Sequence, residues 1–305
     1  MKHVIPPYLK QGDYIGLTCP AGFLDPSKSK ACIETLQRWG YEVMVGETMN
    51  SKSDNYFSGT DEERRNELQA MLDDPSIKAI LFGRGGYGTG RIIDKLSFKK
   101  FLKHPKWLAG FSDITVMHNH LLSNYHVASI HASMAAEFDK DPLNNPNIIS
   151  LKNALEGKSA GYKIENHPLN IKGEGSGILV GGNLALLSHI IGTDSDFETK
   201  NRILFIEDIG EYLYNVDRML NQLQRAGKLK RLAGLIFGGF TDLKDTTRPF
   251  GKTIEAILLS YTGYLKCPVC FDFPVGHGEK NFALKTGVKY QLLVNNKQTV
   301  LKELD

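Results

Sequence analysis

Long apolar runs are missing from this 305-residue chain: no stretch approaches the ~18 consecutive apolar residues that a membrane-spanning helix needs. The opening residues, Met-Lys-His-Val-Ile-Pro-Pro, lead into no apolar segment, and Asp13 comes early, so no secretory signal is expected and the expected setting is the cytoplasm. Charge of one sign is also missing. The 37 basic and 34 acidic residues leave a formal net charge of +3. The densest basic stretch, Lys99, Lys100, Lys103, His104 and Lys106, reads as a solvated helix end, so neither nucleic acid nor membrane is expected as a partner. Cysteine is scarce, with four residues in all: Cys19, Cys32, Cys267 and Cys270. Cys267-Pro-Val-Cys270 has no second ligand pair at the spacing of a zinc site and runs into Phe271-Asp272-Phe273-Pro274, so free structural thiols are expected. There is no H-E-x-x-H, no cluster of His, Cys and carboxylate at ligand spacing and no P-loop; no metal or other cofactor is implied. Internal repeats and low-complexity tracts are absent too. What remains, 41% hydrophobic and 23% charged, is an ordinary globular composition long enough for two domains.

Apolar β-leaning runs at 13–19, 41–45, 77–82, 107–111 and 127–130 predict strands. Between them lie a helix from Asp25-Pro26-Ser27 to Trp39, a helix after the Thr60/Glu63 capping box that stops at Asp73-Asp74-Pro75, a helix around 90–96 and one over 113–123. Strand alternating with helix predicts a parallel sheet covered on both faces. Residues 141–175, with Pro142, Pro146 and Pro168, break that rhythm and place the boundary near 160–170, between a first domain of 1–160 and a second of 170–305. The second opens on Gly181-Gly182-Asn183 and a helix. A strand at 202–206 follows, then an amphipathic helix carrying Val216, Met219, Leu220 and Leu223, then strands at 232–237, 266–271 and 288–294.

In open parallel sheets ligands gather beyond the carboxyl ends of the strands, which puts the loops after Cys19, Phe82 and Phe111 on one edge. Gly110-Phe111-Ser112-Asp113-Ile114 joins a strand to a helix, the setting of a nucleophile elbow, although Ile114 stands where that motif has glycine. A role for Ser112 or Asp113 as a helix cap is the competing reading. Gly83-Arg84-Gly85-Gly86-Tyr87-Gly88 can bring backbone N–H groups close to a ligand, and with the N–H of Asp113 could stabilise an oxyanion. The same residues spell G-x-G-x-x-G. A dinucleotide reading is disfavoured because the loop follows the third strand, not the first, and because the nearest acid, Asp113, lies farther on than the roughly 20 residues expected.

A serine nucleophile needs a base, and the base an orienting acid. Of the nine histidines, His118 and His120 point to different sides of one helix, His131 ends a strand at the ligand edge, and His189 lies in an apolar helix. His277 follows a strand between Gly276 and Gly278, which leave its ring accessible, though it could be a plain turn histidine. Glu207 directly follows an apolar strand, where a charge is costly without a partner; Asp208 and Glu211 are the alternative acids.

Taken in order, these pieces resemble the LD-carboxypeptidases, or murein tetrapeptide carboxypeptidases, over nearly the whole chain. The resemblance rests on Pro20-Ala21-Gly22, Phe57-Ser58-Gly59-Thr60-Asp61, Arg84-Gly85-Gly86-Tyr87-Gly88, Gly110-Phe111-Ser112-Asp113 and Gly181-Gly182-Asn183-Leu184. It continues in Ile206-Glu207-Asp208 with Tyr214, in Asp217-Arg218-Met219-Leu220 and in Phe273-Pro274-Val275-Gly276-His277-Gly278. It implies a triad of Ser112, Glu207 and His277, and an oxyanion hole from the backbone of Asp113 and of Gly85 or Gly86. The implied fold is a flavodoxin-like or glutaminase-like parallel-sheet N-terminal domain with a smaller β-rich α/β domain behind it. A homodimer acting on a small peptide, and release of terminal D-alanine from an L,D bond in recycled cell-wall peptides, are implied as well. After His131 the family often has Gly-Pro-Met where Ala132-Ser133-Met134 stands here, which bears on substrate preference. Two other functions are compatible with the same loops: cleavage of peptide–nucleotide antibiotics by a sister group, and a non-enzymatic sensor of small peptides or nucleotides.

Overall fold

The computed structural model describes residues 3–138 and 141–304. The chain forms two compact units, Met1–Lys158 with Phe282–Lys285, and Ser159–Asn281 with Thr286–Asp305.

The first unit is built on β1 (Tyr14–Thr18), β2 (Glu42–Val45), β3 (Ile77–Phe82), β4 (Trp107–Gly110) and β5 (Ser129–His131), all paired in parallel. Their order runs β5-β4-β3-β1-β2. All of β4 is buried, and β3 exposes only Lys78, as expected of strands covered on both faces. The covering helices are α1 (Lys30–Arg38), α2 (Asp61–Asp73), α3 (Thr89–Ile92), α4 (Thr115–Tyr125) and α5 (Pro146–Leu155). The capping box expected at the start of α2 is present: Glu63 N–H donates to Thr60 Oγ1 at 3.2 Å, and Thr60 N–H donates to Glu63 Oε2 at 2.7 Å. Two helices differ in form from expectation. The helix expected at 90–96 is the single turn of α3 tightening into a 3-10 turn at Ile93–Lys95, and α4 is preceded by a 3-10 turn at Ser112–Ile114. Within the stretch that reads as irregular, Asn145 accepts from Asn147 N–H and Pro146 takes the first turn of α5, where its missing N–H costs nothing.

The second unit is a mixed sheet with fewer helices. Its strands are β6 (Gly161–Ile164), β7 (Gly173–Asn183), β8 (Ile203–Ile209), β9 (Gly234–Thr241) and β10 (Val269–Cys270). Next in the chain, β11 (Leu284–Thr286) joins the first unit's sheet beside β5. Then β12 (Lys289–Val294) and β13 (Thr299–Glu303) complete the second sheet. The order is β10-β9-β8-β7-β12-β13-β6, parallel from β10 to β7 and antiparallel from β7 to β6. Its helices are α6 (Leu184–His189), α7 (Leu213–Arg225) and α8 (Ile254–Ser260). On α7 the buried residues Val216, Leu220 and Leu223 recur at helical spacing on one face. The apolar run of β8 is buried through Asp208, so the strand carries two carboxylates, Glu207 and Asp208, into the interior at its carboxyl end.

Candidate active site

In the first unit the chain turns sharply as β4 ends. Ser112 has φ +61°, a left-handed conformation that a non-glycine residue rarely adopts and that the surrounding fold must hold in place. Its side chain is half-buried, while Asp113 and Ile114 behind it are fully buried. Neither Ser112 nor Asp113 caps the following helix, so the capping alternative does not describe this turn: the residue preceding α4 makes no side-chain cap, and the Asp113 carboxylate reaches across to Thr89 instead. His118, one turn into α4, helps fix the end of β4. Its Nε2–H donates to the Gly110 carbonyl and its Nδ1 accepts from the Ser129 hydroxyl, each at 2.8 Å. Burial pushes the His118 pKa down to about 4, which keeps the ring neutral in those roles.

The glycine loop after β3 lies against this turn. A Cβ on Gly85 would fall 2.9 Å from Ser112 Cβ and 3.0 Å from its Oγ, so only glycine lets the two segments approach this closely. The Gly85 carbonyl accepts from Gly22 N–H at 3.0 Å. Because the peptide is trans and planar, that bond aims the Gly86 N–H the opposite way. Arg84, from the same loop, is exposed and donates to the Phe23 carbonyl at 2.6 Å.

In the second unit Glu207 and His277 meet. Glu207 Oε2 and His277 Nδ1 are 2.6 Å apart, the carboxylate with no exposure and the imidazole side chain 14% exposed. Gly276 makes room for the pair: a Cβ there would lie 2.6 Å from Glu207 Oε2. Nδ1 faces the carboxylate, so proton transfer to or from a substrate would run through Nε2. Asp208 takes a different part, accepting from Asn183 Nδ2 at 2.8 Å and from the Ala185 N–H at the start of α6 at 3.1 Å. Burial pushes its carboxyl up to about 7; the Ile209 N–H opposes that shift and the charge of Glu207 adds to it. Glu211 accepts from Asn215 Nδ2 at 2.9 Å. Of the three candidate acids, Glu207 is the one bonded to His277.

His131, expected at the ligand edge, is fully buried against Phe111 and His118 and presents no accessible ring. All four cysteines are free and buried. Among the described residues no three of His, Cys, Asp and Glu gather as ligands for a metal ion. Arg64, on α2, has no distinguishing signal in the sequence, yet it is completely buried. Its guanidinium bonds the Pro20, Gly59 and Gly88 carbonyls and the Asp61 carboxylate, and lies 4.7 Å from the centre of the Phe57 ring.

The fold and these two clusters are those of a two-domain α/β peptidase. Residues 15–132 match the LD-carboxypeptidase N-terminal domain and residues 176–292 the LD-carboxypeptidase C-terminal domain. The chain belongs to the LD-carboxypeptidase family. It is 33% identical to the probable murein peptide carboxypeptidase of Bacillus subtilis (strain 168), across 97% of this chain and 94% of that protein. Among solved structures it is similar to the muramoyltetrapeptide carboxypeptidase from Oxalobacter formigenes, with TM-score 0.85 and 30% identity over 96% of this chain and 99% of that one. The microcin C7 self immunity protein MccF, in complex with aspartyl sulfamoyl adenosine, shares the fold at TM-score 0.86 and 21% identity, each chain covered to 99%.

Proposed function

We propose that this protein is a serine peptidase that cleaves the L,D-peptide bond of murein tetrapeptides and releases the terminal D-alanine during cell-wall recycling. Ser112 Oγ attacks the scissile carbonyl carbon while His277 Nε2 takes its proton, and Glu207 steadies the resulting imidazolium through Nδ1. The developing oxyanion accepts from the backbone N–H of Asp113 and from the glycine pair Gly85 and Gly86. His277 returns the proton to the departing amine of D-alanine. Water, activated by the same imidazole, then hydrolyses the acyl-enzyme and frees Ser112.

The observation that carries this reading is the buried Glu207–His277 pair at 2.6 Å. A carboxylate withdrawn from water is costly unless a partner compensates, and one aligned on a histidine Nδ1 is the arrangement a base and its orienting acid require. The strained, half-buried Ser112 beside Gly85 supplies the complementary nucleophile. The murein substrate is taken from relatives that align along 97% and 96% of this chain. The antibiotic-cleaving alternative draws on a likeness of fold alone. A cytoplasmic setting, which fits four free buried thiols, and a homodimer, which the family resemblance implies, belong to the same proposal.

The test is turnover of a murein tetrapeptide followed by mass spectrometry. The parent should lose one D-alanine from the peptide, and Ser112→Ala should lower kcat on the order of 10⁴-fold or more. Parent-like turnover by Ser112→Ala would refute the assignment of the nucleophile. An untouched tetrapeptide alongside a cleaved peptide–nucleotide would transfer the function to the antibiotic class.

A further inference from the structure

We propose that the Asp113 carboxylate, backed by the buried Arg64, is a positioning residue that clamps the glycine loop against the nucleophile turn and so sets the aim of the oxyanion donors. The proposal rests on the reading of Ser112 as nucleophile and adds to it a role for two charged side chains.

One peptide group of the loop, Gly88–Thr89, is gripped from both sides. Its N–H donates to Asp113 Oδ2 at 2.7 Å, and its carbonyl accepts from Arg64 Nη1 at 3.3 Å. Asp113 and Arg64 are both fully buried. Burying a carboxylate and a guanidinium costs several kcal/mol apiece unless each is paired, so a purely packing role would be met more cheaply by apolar side chains. Asp113 directly follows Ser112, and its bond to Thr89 therefore ties the nucleophile turn to the far end of the segment that carries Gly85 and Gly86. Arg64 is itself anchored at the start of α2 by the Gly59 carbonyl at 3.2 Å and by Asp61, which Arg91 holds at 2.8 Å. The chain of contacts thus runs from α2 through Arg64 to the Gly88–Thr89 peptide, through Asp113 and so to Ser112. Oxyanion donors act through their placement, and a displaced donor costs rate without weakening substrate binding.

Two readouts on the full chain test the clamp: tetrapeptide turnover, and the rate at which a serine-directed phosphonate modifies Ser112. Asp113→Ala should lower kcat and the phosphonylation rate by about 10²-fold while KM stays within about threefold. Asp113→Asn keeps an acceptor for the Thr89 N–H and should recover to within about tenfold of the parent. If Asp113→Ala does not fold, Asp113→Ser, whose hydroxyl is too short to reach Thr89, takes its place with the same expected loss. Truncation that leaves both rates at the parent level, or Asp113→Asn as slow as the truncation, would overturn the clamp. A parent that takes the phosphonate but leaves the tetrapeptide intact would overturn the substrate reading alone, and the clamp would then be judged on phosphonylation. A parent inert to the phosphonate would overturn serine chemistry and the clamp together.

Discussion

Two carboxylates stand side by side at the carboxyl end of β8 and answer the cost of burial differently. Glu207 is bonded to an imidazole, whereas Asp208 is held by an amide side chain and backbone N–H groups, and its carboxyl is pushed up to about 7. An unfolded chain releases that proton near pH 3.9. Between the two values the folded protein binds a proton that the unfolded chain does not, so the Asp208 contribution to stability is full below about pH 4 and is lost as pH rises through about 7. Asp208→Asn is neutral throughout this range. Urea unfolding of both proteins at pH 5 and pH 8 should therefore show the parent losing stability relative to D208N at the higher pH. A difference that does not change with pH would remove the shift from the account. Single residues also mark where reading the sequence stops. Ser112 is legible because strand, turn and helix surround it, but its positive φ is not. Arg64 is hidden because a charge on an amphipathic helix has the same local pattern whether it is solvated or buried.

At the scale of elements, α2 carries more than its own packing, since it presents Arg64 to the glycine loop. Its start depends on the Thr60/Glu63 box, and Thr60→Ala should destabilise the protein by about 1 kcal/mol. Denaturant midpoints at an unchanged m-value measure this; no change would mean that the helix start is held by its tertiary contacts alone. The parallel strands β1–β5 are legible as apolar runs punctuated by turn residues, because burial on both faces requires such runs. The second unit is less so. Gly173–Asn183 has the composition of a loop, yet it forms β7, whose ladder partners β8 and β12 pair with its backbone whatever its side chains are. Pro146 reads as a breaker and instead opens α5. The short strands β6 and β13, and α8, are defined by their neighbours and by a Thr253 cap, not by a pattern strong enough to stand alone.

Across the whole molecule, the proposed chemistry divides between units that are distant in sequence: Ser112 in the first, Glu207 and His277 in the second. Neither β11, which leaves the second half of the chain for the first sheet, nor the break of the first unit at Lys158 carries a marker in composition, because both express long-range pairing. The proposed site residues could be singled out from the sequence by type and position. A serine on a strand–helix turn, a histidine between glycines and a carboxylate closing an apolar strand each violate an ordinary expectation for their residue type, and such violations concentrate at functional positions. The proposal at stake is the dependence of Ser112 reactivity on His277. Phosphonate labelling followed by peptide mapping measures it directly in the parent and in His277→Ala. A stoichiometric adduct on Ser112 is expected in the parent, formed on the order of 10³-fold more slowly in the variant. An adduct on another residue, or labelling of Ser112 at the same rate without His277, would contradict it.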